Sequence, residues 1–261
     1  MKPGALAGVG ARLRAARYKA MVRTCARFAP YYVINEYPKC GGTWLSQMLS
    51  DAMSMPFYRH RMPRLKPGIV HGHFLSSLGL ANTLVIWRDP RDLCVSLYHH
   101  CYFENELHNA SLVRKMKQRQ PFDDYRDVVS NLPAFIRFMT ETPVAPRFTW
   151  DTFVSKWARR RDVVHTSYEV LRRNTAAELQ RLVYAISGRE LCDEAAARIA
   201  EDQSFEKAKA RVTEGNRGKP AETSFVRQGA VGGWRKYFNA EAVRLAETHW
   251  AEGLDRLGYD L

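Results

Sequence analysis

The feature that most constrains the fold is a unit that occurs three times, a short apolar or β-branched run passing through a turn into a helical pattern. Tyr31 to Tyr37 (YYVINEY) reads as a strand, runs into Pro38-Lys39-Cys40-Gly41-Gly42, and continues as Thr43-Trp44-Leu45-Ser46-Gln47-Met48-Leu49, a helical pattern with Thr43 as a possible cap. Leu84 to Trp87 is a second strand of the buried type, followed by a turn over Arg88 to Asp92 and a helix over Leu93 to Phe103. Val163 to Ser167 begins a third unit, leading through Tyr168 into a helix over roughly Val170 to Ser187. Strands alternating with helices predict an α/β fold, a single domain with a central parallel sheet covered on both faces. Ligands of such sheets bind at the carboxyl ends of the strands.

The length of 261 residues, with 46% hydrophobic and 26% charged residues, suits an ordinary globular chain and excludes wholesale disorder, collagen and small disulfide scaffolds. No stretch approaches the ~18 consecutive apolar residues of a membrane span. Arg12, Arg14, Arg17 and Lys19 interrupt what would be the apolar core of a signal peptide. Cys25, Cys40, Cys94, Cys101 and Cys192 are an odd set without a CxxC pair, which predicts neither a disulfide framework nor a zinc site. These features together read as a cytoplasmic, reduced, soluble protein.

The formal charge of +13 is unevenly placed. Lys2, Arg12, Arg14, Arg17, Lys19, Arg23 and Arg27 stand in residues 1–35 without an acid, leaving 33 basic residues against 27 acids elsewhere, a balance of +6. Residues 1–30 read as a basic N-terminal extension with a helix from about Val9 to Phe28, either packed on the surface or in peripheral contact with an anionic membrane. Residues 31–261 form the main domain. Glu104 to Pro146, broken by Pro121, Pro133 and Pro143, predicts mobile helices or loops, and Lys207 to Thr223 a surface flap.

Three segments carry chemistry. In YPKCGGTW, Tyr37 to Trp44, a strand turning through two glycines into a helix aims backbone N–H groups and the positive end of the helix dipole at one spot, suited to a phosphate-like anion. Lys39 adds a charge and Thr43 a hydroxyl; the lysine precedes the glycines and GxxxxGK[ST] is absent, so this is not a Walker A loop. In IWRDPRDLCVSLYHH, Ile86 to His100, Arg88 leaves a strand end and Ser96 lies on the next helix, a pair able to bind a second phosphate; the plainer reading is an Arg–Asp salt-bridged turn with a buried serine. In FVRQGAVGGWRKYF, Phe225 to Phe238, Gly229, Gly232 and Gly233 permit close backbone approach and Arg227 offers another anion contact.

In this order the three segments resemble the sulfotransferase superfamily, most closely its cytosolic type. Its first motif, approximately YPKSGTTW, differs here at Cys40 and Gly42; its second, approximately RNPKDVxVSxYH, matches Arg88 to His99; its third, approximately RKGxxGDWKxxF, matches Arg227 to Phe238 with Gln228 and Gly233 as departures. The resemblance implies a P-loop-like phosphosulfate-binding loop and transfer of a sulfuryl group from 3′-phosphoadenosine 5′-phosphosulfate (PAPS) to a hydroxyl or amine, leaving adenosine 3′,5′-bisphosphate (PAP). It implies that Lys39, Cys40, Gly41, Gly42 and Thr43 cradle the 5′-phosphosulfate and that Trp44 stacks on adenine. Arg88 and Ser96 then take the 3′-phosphate, joined by Arg227, Gln228 and Gly229, with Tyr168 and Phe205 near the nucleotide. Trp150 and Trp157 match a fourth family stretch and read as core.

In the family a histidine is the base, and its spacing to the arginine falls on His73 of HGHF, with His71 in the place of a family lysine. An imidazole of pKa near ~6.5 is suited to accept a proton at neutral pH. Lys39 and the loop N–H groups would stabilise charge during in-line attack, and Glu36 is the alternative base, because some carbohydrate sulfotransferases use a glutamate. No metal is expected, since no His and carboxylate residues have ligand spacing. The family's dimer motif would run from Arg235 to Arg244, where Asn239, Ala240 and Arg244 replace its Thr, Val and Glu, so no dimer is implied.

A small-molecule, lipid or carbohydrate acceptor fits this reading; no nucleic acid is expected. Two competitors carry different signatures. A P-loop kinase would share the strand, loop and helix but needs a Walker A lysine and a magnesium-binding acid. A basic nucleic-acid binder would account for the pI near 9.7, yet the aromatic residues lie mostly in apolar runs rather than interleaved with cations.

Overall fold

The protein is described from a computed structural model covering residues 13, 16–24, 28–29, 31–59, 61–103, 109–143, 146–204, 206–207, 210 and 229–260. Residues 16–24 are helical (α1). There follow β1 (Tyr31–Glu36), α2 (Gly42–Met53), β2 (Gly68–Gly72), β3 (Thr83–Trp87), α3 (Pro90–Tyr102), α4 (Ala110–Arg119), α5 (Val128–Glu141) and α6 (Trp150–Trp157). The chain ends with β4 (Val164–Ser167), α7 (Tyr168–Arg173), α8 (Thr175–Ser187), α9 (Asp193–Asp202), a 3-10 turn (Gly233–Lys236) and α10 (Ala240–Leu257).

The four strands form one parallel sheet in the order β2-β1-β3-β4, as the alternating pattern predicts. Val33, Ile34, Leu84, Val85 and Ile86 are fully buried, as strands covered by helices on their faces must be. The chain passes from β1 to β2 on one side, then returns to lay β3 on the other. The reversal puts a crevice at the carboxyl ends of β1 and β3, where parallel sheets hold their ligands. The loop after β1 and the turn after β3 carry the first two motifs.

The sequence reading missed β2. Its five residues, GIVHG, offer only Ile69 and Val70 as strand formers between two glycines, and its pairing with β1 makes it a strand. That pairing carries the functional consequence. It sets Ile34 beside His71 and Asn35 beside Gly72, bringing HGHF to the end of β1.

Three local expectations are corrected, and the helices expected between Glu104 and Pro146 are present. Helix α2 begins at Gly42 behind a left-handed Gly41 without a side-chain cap bond, so Thr43 lies inside the first turn. Helix α3 starts at Pro90 rather than Leu93, because Asp89 accepts the Arg91 N–H as N-cap and Pro90 occupies the first helical position. The single helix expected over Val170 to Ser187 is two, α7 and α8: Asn174 ends one, and its side chain accepts the Ala177 N–H to open the other. The stretch from Glu104 to Pro146 holds α4 and α5, and α5 sends Leu132, Phe135 and Ile136 into the core. Pro133 inside α5 cannot donate to Val129, and Asn239 Nδ2 donates to the Val129 carbonyl instead, at 3.3 Å.

Trp157 is fully buried and Trp150 nearly so, in agreement with their reading as core. Gly253 of α10 makes room for Trp150, since a Cβ there would lie 2.3 Å from its ring. Cys40, Cys94 and Cys101 are buried thiols and Cys192 an exposed one. Among the described residues no helix is long and apolar enough to cross a membrane. Cys25 and most of the flap expected at Lys207 to Thr223 lie outside the described residues.

Candidate functional site

The loop after β1 has a strained backbone. Lys39 has φ 77° and Gly41 φ 101°, both in the left-handed region. For lysine this is uncommon and holds only where the surroundings enforce it. Gly41 is required on two counts, since a Cβ there would lie 2.9 Å from the Tyr168 ring.

Arg88, at the end of β3, joins the motifs. Its Nη1 donates to the Lys39 carbonyl at 3.0 Å, and its guanidinium lies 4.3 Å from the centre of the Tyr168 ring. Its Nε is buried without a hydrogen-bond partner among the described residues. A buried guanidinium N–H left over in this way is a donor waiting for an anion. Tyr168, at the start of α7, donates its hydroxyl to the Gly229 carbonyl at 3.0 Å, which draws in the third motif. Trp44 meets Tyr168 edge to face with centroids 5.9 Å apart, and its Nε1 donates to the Gln203 carbonyl at 2.7 Å.

Lys39, Gly41, Trp44, Arg88, Tyr168 and Gly229, drawn from four separated stretches, thus meet at one place. Cys40 is buried beneath the loop with its thiol pKa pushed well up by burial, so it serves as packing there. Thr43 is half-buried in the first turn of α2. Ser96 is half-buried on α3, and no described hydrogen bond joins it to Arg88. Phe205, Arg227 and Gln228 lie outside the described residues.

The second part of the site is a polar cluster at the ends of β1 and β2. Glu36 is 4% exposed; one carboxylate oxygen accepts the Gly42 N–H and the other lies 2.9 Å from His71 Nε2. The backbone carbonyl of Glu36 accepts His73 Nδ1–H at 2.9 Å. With Nδ1 committed as donor, neutral His73 carries its free lone pair on Nε2, the tautomer a proton acceptor needs. Burial and the neighbouring His71 push the His73 pKa down to about 4, so the ring is neutral at pH 7. Burial pulls the Glu36 pKa upward, but the hydrogen bond to His71, the two imidazoles and the Gly42 N–H outweigh it and hold the carboxyl below its ordinary value. Glu36 is therefore an ionised anchor at the helix N-terminus, already engaged on both oxygens.

This changes the sequence reading of Gly42. Its N–H, expected to face a bound anion, belongs to Glu36, which leaves Thr43 and Trp44 as the first-turn amides without an intrahelical acceptor. Gly42 also has no room for a side chain, since a Cβ would lie 2.7 Å from both Glu36 Cδ and His71 Nε2. Glu36, His71 and His73 are the one group of metal-ligating side chains among the described residues with donor atoms within 4.8 Å of one another. In the sequence they are 35 and 37 positions apart, a spacing that no ligand pattern reveals. His71 Nε2 faces the Glu36 carboxylate, and His73 Nδ1 faces the Glu36 backbone carbonyl.

Sequence reasoning also passed over Asp92. Its two carboxylate oxygens accept the N–H groups of Gly232, at 2.6 Å, and Trp234, at 2.8 Å, hooking the third motif to the second. Burial raises its pKa, although Arg88 and these two amides oppose the shift. The Arg–Asp turn weighed from the sequence does exist, but with Arg91: its guanidinium grips Asp89 with Nη2 to Oδ2 at 2.9 Å and stacks 4.4 Å from the Trp234 ring centre. Arg88 is thereby spared from that pairing. Glu169, directly after Tyr168, accepts the Asp89 N–H at 3.0 Å and the Tyr259 hydroxyl at 2.9 Å. The local signal for Asp92 was an acid in the first turn of a helix; its long-range partners had none.

Known proteins sharing this architecture agree among themselves. Residues 67–258 match the sulfotransferase domain family. Sulfotransferase 1B1 of the dog, Canis lupus familiaris, is 22% identical, over 79% of this chain and 77% of its own. A mouse sulfotransferase, SULT7A1, solved with PAP, superposes with a TM-score of 0.63 at 17% identity, covering 90% of this chain and 89% of that one. Retinol dehydratase, solved with androsterone and the inactive cofactor PAP, gives a TM-score of 0.63 at 18% identity over 94% of this chain and 86% of that one.

Proposed function

This chain belongs to the sulfotransferase family, and we propose that it transfers the sulfuryl group of PAPS to a hydroxyl or amine of a small-molecule acceptor, with His73 as the base. The observation that carries the reading is the convergence of Lys39, Arg88, Tyr168 and Gly229 on one crevice, with the His73 imidazole held neutral at its edge. PAPS fits the residues present: the buried Arg88 Nε lacks a hydrogen-bond partner among the described residues, a donor suited to a phosphate oxygen. The PAP held by the mouse enzyme and by retinol dehydratase supports the donor, and the androsterone held by retinol dehydratase supports a small-molecule acceptor.

When bound, PAPS supplies the sulfuryl group and departs as PAP. On this reading His73 Nε2 takes the proton that the acceptor releases as its oxygen or nitrogen bonds to sulfur. Lys39 and the amides of Thr43 and Trp44 hold the negative charge of the phosphosulfate end, at the positive end of α2. Arg88, Ser96, Arg227, Gln228 and Gly229 hold the 3′-phosphate end, where a guanidinium fork suits phosphate. Trp44 and Tyr168 would flank the adenine, a role the resemblance also gives to Phe205. Glu36, engaged on both oxygens, orients the histidines and is not the base.

The test is release of PAP from PAPS with a panel of phenols, alcohols, sugars and amines. Turnover should fall about 100- to 10,000-fold in His73→Ala with PAP affinity retained, whereas Arg88→Ala should weaken PAP binding about 10- to 100-fold. Tight ATP binding without PAP binding would instead mark a kinase-like phosphotransferase.

Residues 1–30 are assigned as an extension of a transfer domain over residues 31–261. Peripheral contact of that extension with an anionic lipid surface is supported by its seven cations and by the exposed Leu13 and Phe28. Co-sedimentation with phosphatidylserine vesicles, lost on charge reversal of Arg12, Arg14 and Arg17, tests it. A cytoplasmic, reducing setting is supported by the unpaired thiols of Cys40 and Cys94 in the core and is tested by cell fractionation.

A further inference from the structure

The basic helix α1 does more than cover the surface. It lies along residues 71–79, the start of the connection from β2 to β3, and His73 stands within that stretch. Tyr18 donates its hydroxyl to the His71 carbonyl at 2.9 Å. Lys19 Nζ and the Arg23 guanidinium lie 5.9 and 5.8 Å from the centre of the Phe74 ring, and Arg23 Nη2 donates to the Ser76 carbonyl at 3.0 Å. Gly79, at φ 72°, lets the chain pass close to α1, since a Cβ there would lie 3.1 Å from Arg23 Cβ. Val22, between these contacts, is fully buried.

The other side of the same stretch is held by the body of the protein. Asn35 Oδ1 accepts the Phe74 N–H at 2.7 Å, and the Phe74 carbonyl accepts from Asn35 Nδ2 at 3.0 Å and Trp157 Nε1 at 2.8 Å. His73 thus stands between an anchor at residue 71 and anchors at 74 and 76, some supplied by the sheet and α6 and the others by α1. Past Gly72 the chain leaves the sheet, and a loop without ladder hydrogen bonds depends on such anchors for its position.

We propose that Tyr18 and Arg23 are positioning residues for His73, which makes the basic N-terminal helix a part of the catalytic apparatus. The inference rests on the assignment of His73 as base and departs from the sequence reading, which gave this helix no part in the chemistry. A base must be held within about 0.5 Å of its productive place, and a misplacement of about 1 Å can cost on the order of 100-fold in rate. Tyr18 and Arg23 touch the backbone of the His73 segment and never the reacting atoms. Their loss should therefore lower kcat and leave the donor site alone.

The experiment compares Tyr18→Phe, Arg23→Met and Arg23→Lys in the full chain, measuring kcat, KM for PAPS, PAP affinity by calorimetry, and hydrogen exchange of the amides of residues 71–79. Tyr18→Phe and Arg23→Met should lower kcat about tenfold with PAP affinity within twofold of the parent, speed exchange at residues 72–76, and be partly rescued in Arg23→Lys. In a His73→Ala background, Tyr18→Phe should remove nothing further from the residual rate. Parental kcat and parental exchange in Tyr18→Phe would overturn the proposal, as would an equal loss with and without His73. A His73→Ala enzyme of full activity would sink the base assignment instead, and the exchange rates would still decide whether Tyr18 holds the segment.

Discussion

His71 Nε2 and Glu36 Oε1 lie 2.9 Å apart in a pair that is 6% and 5% exposed, and the other oxygen of the same carboxylate holds the first amide of α2. One ionised group thereby fixes the first turn of α2, the second histidine and, through its backbone carbonyl, the proposed base. Glu36→Gln keeps the shape and removes the charge. It is expected to cost about 1–3 kcal/mol in urea denaturation, because a buried charge-assisted contact is exchanged for a weaker one. Turnover should fall more than tenfold while PAP still binds. An unchanged kcat in Glu36→Gln would show that the carboxylate does not organise the site.

Gly42→Ala probes the same packing from the other side. The added methyl would meet Glu36 Cδ and His71 Nε2 at 2.7 Å, and both neighbours are buried. Overpacking of this kind costs roughly 1–3 kcal/mol. The substitution should lower the melting temperature and reduce kcat, because relief requires the pair to move away from the loop. Parental stability would mean that the pair gives way freely.

Asp92→Asn tests the hook between the second and third motifs. The carboxylate accepts two backbone N–H groups, whereas an amide offers one oxygen and turns an NH2 toward the other donor. One bond is lost, at about 1 kcal/mol, and a buried N–H is left unpaired. The KM for PAPS should rise several-fold with kcat nearly intact, the reverse of the pattern for Tyr18→Phe. A fall in kcat alone would remove Asp92 from the donor side.

The pH profile reports on His73. Its folded pKa is lowered to about 4, so the imidazole stays neutral, and able to accept a proton, from neutrality down to about pH 4. The acid limb of kcat/KM should therefore sit near pH 4 rather than near the ordinary ~6.5 of histidine. For stability the sign is that of a group reluctant to be charged in the fold. The unfolded chain binds the proton first, so the His73 contribution is complete above about pH 6.5 and is lost as pH falls from there toward 4. Glu36, with its folded pKa lowered, acts in the same direction at still lower pH. An acid limb at 6.5 in protein that is still folded would place the base elsewhere.

The three strand, turn and helix units were legible because each is a local pattern. Apolar runs, Gly41 and Gly42, and the Arg88 that follows a strand all lie within a few residues of the partners that give them meaning. Asn174 misled for a related reason, since its side chain caps a helix that apolar spacing alone runs together with the one before.

What the sequence by itself determined is the kind of sheet, the turns at the carboxyl ends of β1 and β3 that carry the motifs, and which residues carry charge there. Tertiary structure alone decided that GIVHG is a strand, that Glu36 is an anchor between Gly42 and two histidines, that Asp92 holds the third motif, and that Tyr18 reaches His71 from 53 positions away. The physical reason is common to all four. Each depends on a hydrogen bond between groups remote in the chain, formed where burial excludes competing water, and no local spacing encodes such a partner.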